Sequence, residues 1–311
     1  MSPVTGGDQP GLDVPKKRGL VRAGEILKKI PALEQLASEA FAQEQEEAKE
    51  AGALGFMARA LVQATMPHSK PTESFFERTN GAFTLTMMAP PKVGLPYGTI
   101  PRLLMAWLTT EAVCWHSRDL ILGDSLSDFM RQLGMVPTGG RWGTITRLRE
   151  QTRRLFTCSV SCLYEDQQRQ AGIGFTVTDS HILWWDPKSP EQADLFDSMV
   201  RLSERFYEEI IRRPVPIDLR ALRSLSKSPL SIDIYVWLTY RMSYLRRETM
   251  IPWPALQLQF GANYHLTRQF KAAFLEHLRK VIREYPEAKV EALDLGLRLL
   301  PSPTHVPRIG Q

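Results

Sequence analysis

Cysteine is scarce in this chain, with three in 311 residues. Cys114, Cys158 and Cys162 form no CxxC pair. Neither a disulfide framework nor a zinc site is expected, and a reducing compartment fits. Long apolar runs are missing as well. None approaches the roughly 18 residues of a membrane span, and no apolar stretch follows the basic residues near the N-terminus as a secretory signal would require. These absences predict a cytoplasmic protein without membrane contact.

Catalytic signatures are equally thin. There is no GxxxxGK[ST] loop, which excludes the usual cradle for ATP hydrolysis. The six histidines, His68, His116, His181, His265, His277 and His305, are never two or four apart, so neither an HxH cluster nor an HExxH zinc site exists. A tyrosine that opens DNA covalently would need a metal site or a catalytic arginine beside it, and neither is evident. Asp179, Asp186, Glu208 and Glu209 can be imagined as paired carboxylates, but surface charge is the simpler account. The expectation is a non-enzymatic chain with no cofactor and no metal. Trp142, Trp184, Trp185, Trp237 and Trp253 read as core or hinge aromatics. Trp142 stays open, because it sits among arginines at a helix start.

What the chain does have is charge, unevenly placed. Lys+Arg number 39 against 34 Asp+Glu, a formal net charge of +5, and the isoelectric point is near 9.1. That excess is mild for a nucleic-acid binder, so distribution matters more than sum. The stretch Thr138–Phe156, TGGRWGTITRLREQTRRLF, carries five arginines against one glutamate. At 100° per residue Ile145, Leu148, Thr152, Leu155 and Phe156 form one apolar stripe. Thr144, Arg147, Gln151 and Arg154 are expected on the opposite side, flanked by Arg141, Arg149 and Arg153. Such a face can lie along phosphates and reach base edges. Gly140 and Gly143 near its start would let a nucleic-acid backbone come close. The competing reading is a solvated basic face. The neighbours favour DNA: a short amphipathic segment precedes the helix and a hairpin-like segment follows, the order of a winged helix-turn-helix.

Residues 1–19, with a Lys16-Lys17-Arg18 cluster and nothing to bury, are expected to be disordered. Helices are expected over 24–50 and 54–66. Asn80-Gly81 between β-prone segments predicts a hairpin. A helix with Pro101 in its first turn follows, burying Leu103, Leu104, Trp107, Leu108 and Ala112. Asp124 or Ser125 can N-cap a short helix through Leu133, ended by Gly134. After the central helix, Thr157–Tyr164 and Gly172–Trp185 read as two strands around a polar turn, a wing with Arg169 at its tip.

The same order then returns. Phe206–Ile211 reads as a strand or as the extension of a helix from Pro190. Pro216–Ser226 and Ser231–Leu245 are helical, and Pro252–Phe260 is a short helix closed by Gly261. Asn263 or Thr267 can cap a long helix to Tyr285, and Lys289–Leu300 alternates like a strand. In the long helix Phe270, Phe274, Leu278, Val281 and Tyr285 form the buried stripe. Arg268, Gln269, Ala272, Glu276, Arg279 and Arg283 take the other face, with Lys271 and Lys280 at its edges. Glu276 is expected to pair with Arg279 or Arg283; accepting from a cytosine amino group is the alternative. The predicted fold class is α+β. Two tandem winged-helix (helix-turn-helix) domains, 71–200 and 201–311, follow an N-terminal extension over 1–70 that is helical or disordered.

At LPYGTIPRLLMAWLTTEAV, LGDSLSDFMRQLGMVPTGGRWGTITRLREQTRRLF and PVPIDLRALRSLSKSPLSIDIYVWLTYRMSYL the chain resembles the plasmid-encoded RepA family of replication initiators. The resemblance implies binding to repeated origin sites (iterons) in double-stranded DNA. It implies opening of that origin and recruitment of a host initiator, helicase or helicase loader. It also implies repression of the protein's own promoter as a homodimer. By that likeness Arg141, Thr144, Arg147, Gln151 and Arg154 read DNA from the first module, and Arg268, Gln269, Ala272 and Arg279 from the second. A winged-helix transcriptional regulator without a replication role is the rival from another class. A nicking relaxase or primase lacks its motifs, and a protein-interaction scaffold would leave both basic helices solvated.

Overall fold

The computed structural model describes residues 65–80, 83–123, 125–165, 170–183, 198–212, 215, 217–261 and 264–306. The basic cluster at Lys16–Arg18 and the helix expected over 24–50 lie outside them. So do the capping candidates Asp124 and Asn263, the turn residue Arg169, and Trp184, Trp185 and Asp186. Of the helix expected over 54–66 only Thr65 and Met66 are described, and they are not helical.

The described chain opens with strands β1 (Phe75–Asn80) and β2 (Phe83–Met88), followed by helix α1 (Thr99–Trp115), β3 (Asp119–Ile121), α2 (Leu126–Gln132) and α3 (Thr144–Thr157). Then come β4 (Ser159–Glu165), β5 (Gln170–Thr176), β6 (Thr178–Ile182), β7 (Met199–Leu202) and α4 (Glu204–Arg212). The second half holds α5 (Leu219–Ser224), α6 (Pro229–Met242), β8 (Thr249–Pro252), α7 (Trp253–Phe260), α8 (Thr267–Glu284), β9 (Val290–Ala292) and β10 (Gly296–Leu299). The architecture is mixed α and β, and its sheets are antiparallel: β1-β2-β4-β5, β3-β7-β6 and β8-β10-β9.

The two three-stranded sheets share one plan. In each, the strand before the short helix sits at an edge. The two strands after the long helix form a hairpin whose later strand takes the middle. The series α1-β3-α2-α3-β6-β7 therefore repeats as α6-β8-α7-α8-β9-β10 in order and in pairing. The first copy carries an insertion, the β4–β5 hairpin, which extends the β1–β2 hairpin into the four-stranded sheet.

Local sequence explains most element ends. Ser125 caps α2 by accepting the Asp128 N–H at 3.1 Å, and Gly134 ends it with a φ of +72°. Asp218 caps α5 and Ser228 caps α6, with Pro229 in its first turn. Strands β1 and β2 form the hairpin that Asn80-Gly81 predicts, with Asn80 paired to Phe83.

Phe206–Ile211, open between strand and helix, is helical and begins after β7, because Ser203 caps it (its Oγ accepts the Phe206 N–H at 3.3 Å) and Phe206 and Ile210, four apart, both turn inward. Three expectations are corrected. Gly172–Trp185 is broken into β5 and β6 at Val177, and β4–β5 does not pair with β3, whose partner is β7. Lys289–Leu300 is a hairpin, not one strand: the Leu293 N–H reaches the Gly296 carbonyl at 2.9 Å and folds β10 back on β9. Thr267 does not cap α8; its hydroxyl donates to Gln257 Oε1 at 2.7 Å, and Leu266 occupies the cap position.

Helix α1 organises the interior. Ile100 through Leu108 are all buried, and apart from Arg102 their side chains are apolar, as suits an enclosed stretch of helix. It touches α3, α4, α5 and α6, so it belongs to both halves. The buried side chains, from Phe83 to Leu299, make one contiguous cluster. Each fully buried Leu or Phe in it contributes roughly 1.5–3 kcal/mol relative to exposure.

Candidate nucleic-acid interface

Helix α3 seats on the core through the expected stripe: Ile145, Leu148, Thr152, Leu155 and Phe156 are all buried. The opposite side differs from expectation. Gln151 and Arg154 are buried, because the segment leading into α1 lies along that flank. Gln151 Oε1 accepts the Tyr97 N–H at 3.0 Å. Arg154 donates to the Leu95 carbonyl at 3.1 Å, pairs with Glu150 at 2.7 Å and lies over the Tyr97 ring. Thr144 is tied to the preceding loop, its hydroxyl donating to the Val136 carbonyl at 2.6 Å. Arg141 and Arg147 remain exposed. The rest of the solvent face is Thr146, Arg149, Glu150 and Arg153. Arg149 and Arg153 were legible as flanking charges; what moves the face toward them is the packing of residues 94–97.

Helix α8 is placed as its periodicity predicts. Phe270, Phe274, Leu278 and Val281 are buried, with Phe260 and Phe274 at 5.5 Å between ring centres. Arg268, Gln269, Ala272, Glu276, Arg279, Lys280 and Arg283 are exposed. Glu276 pairs with Lys280 at 2.8 Å, not with either arginine, which holds its carboxyl below the ordinary range. Lys271 is not part of the open face. Its ammonium lies 5.0 Å from the Trp253 ring centre and donates to the Leu293 carbonyl at 3.2 Å, bracing the β9–β10 turn.

A buried ionic seam fixes α1 against α6. Arg102 grips Asp233 with two hydrogen bonds, 2.7 Å from Nε and 2.8 Å from Nη2. Its remaining donors reach the Met66 and Gly98 carbonyls at 2.6 and 2.7 Å. His68 Nε2 lies 2.7 Å from Asp233 Oδ2. Nearby, Thr65 donates to the Gln259 carbonyl at 3.3 Å, and Arg78 donates to the same oxygen at 2.5 Å. Burial alone would raise the Asp233 carboxyl, but Arg102 and His68 outweigh it and hold it below the ordinary range. Burial lowers His68 despite the neighbouring carboxylate. Residues 65–68 are thus a strap across the two halves, although the sequence assigns them to the N-terminal extension. The seam thereby ties α1, which packs on α3, to α6, which packs on α8.

Other candidate groups are occupied by ordinary structure. Asp179 pairs with Arg118 at 2.6 Å on the surface. Trp237 and Trp253 are core residues, whereas Trp142 is 82% exposed. Among the described residues no cluster of three or more metal-ligating side chains is found, and no helix is long and apolar enough to cross a membrane.

No curated protein matches the chain. A crystal structure of selenomethionine derivatives of domain 2 and domain 3 of RctB superposes with a TM-score of 0.57 at 12% identity, covering 82% of this chain and 100% of that one. At that identity the likeness concerns the fold alone. A second crystal structure, of RctB domains 2–3, gives a TM-score of 0.49 at 14% identity over 75% of this chain and 84% of that one. The family model described as plasmid-encoded RepA protein matches residues 95–254, from the segment that packs on α3 through the start of α7. With half of its length inside that match, the chain belongs to the plasmid-encoded RepA protein family.

Proposed function

We propose that this RepA-family chain is a replication initiator that binds repeated sites in double-stranded origin DNA through two winged-helix modules. The observation that carries the reading is the repeat of one plan: edge strand, short helix, long basic helix, hairpin. In a winged helix the helix after the short one enters the major groove and the hairpin flanks it. The long helices here are α3 and α8, each with an apolar face inward and several arginines outward. The wings are then β6–β7 and β9–β10, and β4–β5 is an insertion. The module boundary falls near residue 200, after β7.

Phosphate contacts from Arg147, Arg149, Arg153, Arg268, Arg279 and Arg283 fix the register, while Gln269, Thr146 and the nearer arginines face base edges. Ala272 offers a methyl surface suited to thymine. Two reading helices on one chain multiply specificity, and arrays of sites add local concentration. Strain in bent, protein-loaded DNA then helps to open the origin without catalysis by this chain. Recruitment of a host initiator, helicase or loader and repression of its own gene as a homodimer rest on family membership alone.

The test is binding to the origin region of the plasmid that carries the gene, across a salt series. Affinity is expected to fall steeply with salt, with a log–log slope near 0.9 per phosphate neutralised. A flat response contradicts the reading. A plasmid that replicates normally without the gene would leave only transcriptional regulation.

A further inference from the structure

The loop between α2 and α3 is fixed more tightly than a connector requires. The Thr138 N–H donates to Thr144 Oγ1 and the Thr144 N–H donates to Thr138 Oγ1, both at 2.9 Å. Thr144 Oγ1 donates to the Val136 carbonyl and Thr146 Oγ1 to the Gly140 carbonyl, at 2.6 and 2.9 Å. The Gly143 N–H reaches Gly140 O at 3.1 Å and the Ile145 N–H reaches Thr138 O at 3.3 Å. A side chain at Gly143 would collide with the Thr138 and Gly139 carbonyls, so the loop closes only around glycine there.

This fixed loop holds outward what folding ordinarily hides. Trp142 is 82% exposed and Val136 is 74% exposed. The Arg141 guanidinium carbon stands 5.1 Å from the Trp142 ring centre, a cation held against one indole in otherwise open surroundings. Gly139 and Gly140 leave the backbone bare beside them: a Cβ on either would meet nothing within 4 Å. At Gly140 a φ of +85° asks for glycine, but Gly139 has no positive φ, so the chain's own packing makes no demand for glycine at 139. Exposed Arg147, Arg149 and Arg153 continue the positive charge along α3.

We propose that Arg141 and Trp142 form a stacking site for an unstacked nucleobase, with the bare Gly139–Gly140 backbone admitting the adjoining sugar-phosphate chain. An indole reads little on the edge of a paired base, whereas its face stacks on any base that presents one, and a neighbouring cation reinforces the contact. Two sources present such a face: a single strand released when the origin opens, and a base step pried apart within the duplex. This inference rests on the DNA-binding reading and adds to it a second mode, by face and not by edge.

The experiment measures binding of the full-length protein to fluorescent oligothymidylate and, separately, to fluorescent origin duplex. Wild type is compared with Trp142→Ala, Trp142→Phe and Gly139→Ala. Both positions are exposed or open, so melting temperatures should match wild type, and matching temperatures are verified first. Trp142→Ala is expected to weaken binding by about tenfold, with Trp142→Phe close to wild type, as aromatic stacking predicts. Gly139→Ala is expected to weaken the same DNA to a smaller degree. Loss confined to oligothymidylate identifies the single strand as the source; loss confined to the duplex identifies the pried step. Trp142→Ala binding both DNAs like wild type overturns the proposal, as does Trp142→Phe losing as much as alanine. Wild type that binds neither DNA at low salt overturns the DNA-binding reading itself.

Discussion

Gln151 accepts the Tyr97 N–H through its side-chain oxygen, so alanine at 151 leaves that partly buried donor without its partner. The expected cost is about 1–3 kcal/mol of stability, read as a lower melting temperature with the affinity of the folded protein for DNA unchanged. Arg149→Ala and Arg153→Ala should do the reverse, because both side chains are exposed. Melting is expected to stay put while the salt slope of DNA binding shrinks by about 0.9 for each phosphate that is no longer neutralised. If Gln151→Ala weakened DNA binding at unchanged stability, the assignment of its face would be wrong. The cysteines separate in the same manner. Burial pushes the thiols of Cys158 and Cys162 up to about 12, whereas Cys114 is exposed. Since the thiolate is the reactive form, a maleimide at neutral pH should label Cys114 in the folded protein and reach the other two only after denaturation.

Among elements, the seam between α1 and α6 carries the largest single electrostatic stake. Asp233→Ala removes the carboxylate and leaves Arg102 charged and buried, which should cost roughly 3–5 kcal/mol. Arg102→Met combined with Asp233→Leu should recover much of that loss, since a well-packed apolar pair can replace a buried ion pair. The seam also sets a pH dependence. His68 is held below its ordinary value of 6.5, chiefly by burial. The unfolded chain therefore takes up the proton first. Stability is full above about pH 6.5 and is lost as pH falls through the lower folded value. Burial depresses His181 and His277 in the same direction, so His68→Gln should remove part of the dependence seen by denaturant unfolding, not all of it. An unaltered pH profile in that variant would contradict the role of His68. The helices on both sides of this seam were legible in sequence, because apolar spacing is local. The seam was not. Arg102 and Asp233 are 131 residues apart, and nothing local distinguishes a buried aspartate from a surface one.

At the scale of the whole molecule, the same division holds. The order of short helix and long basic helix could be read twice from periodicity and turn residues. Which hairpin completes each sheet could not, because strand partners are long-range choices. Sequence places a wing directly after α3, yet β4–β5 joins β1–β2, and the hairpin with the repeated pairing is β6–β7. The buried flank of α3 was hidden for a related reason: Gln151 and Arg154 look solvent-facing until residues 94–97 are seen lying across them. The open face of α8, which no segment covers among the described residues, matched its periodicity. One contiguous core and one ionic seam hold both basic helices, so a site engaged by one helix constrains where the other reaches. Loss of either helix should then weaken the same protected sites.

The most direct test of two reading helices on one body is a footprint on the origin region, with Arg153→Ala and Arg279→Ala run beside wild type. The account predicts regularly spaced protections that each substitution weakens at every repeat, at unchanged melting temperature. Protections indifferent to both substitutions, or none at any salt, would contradict it.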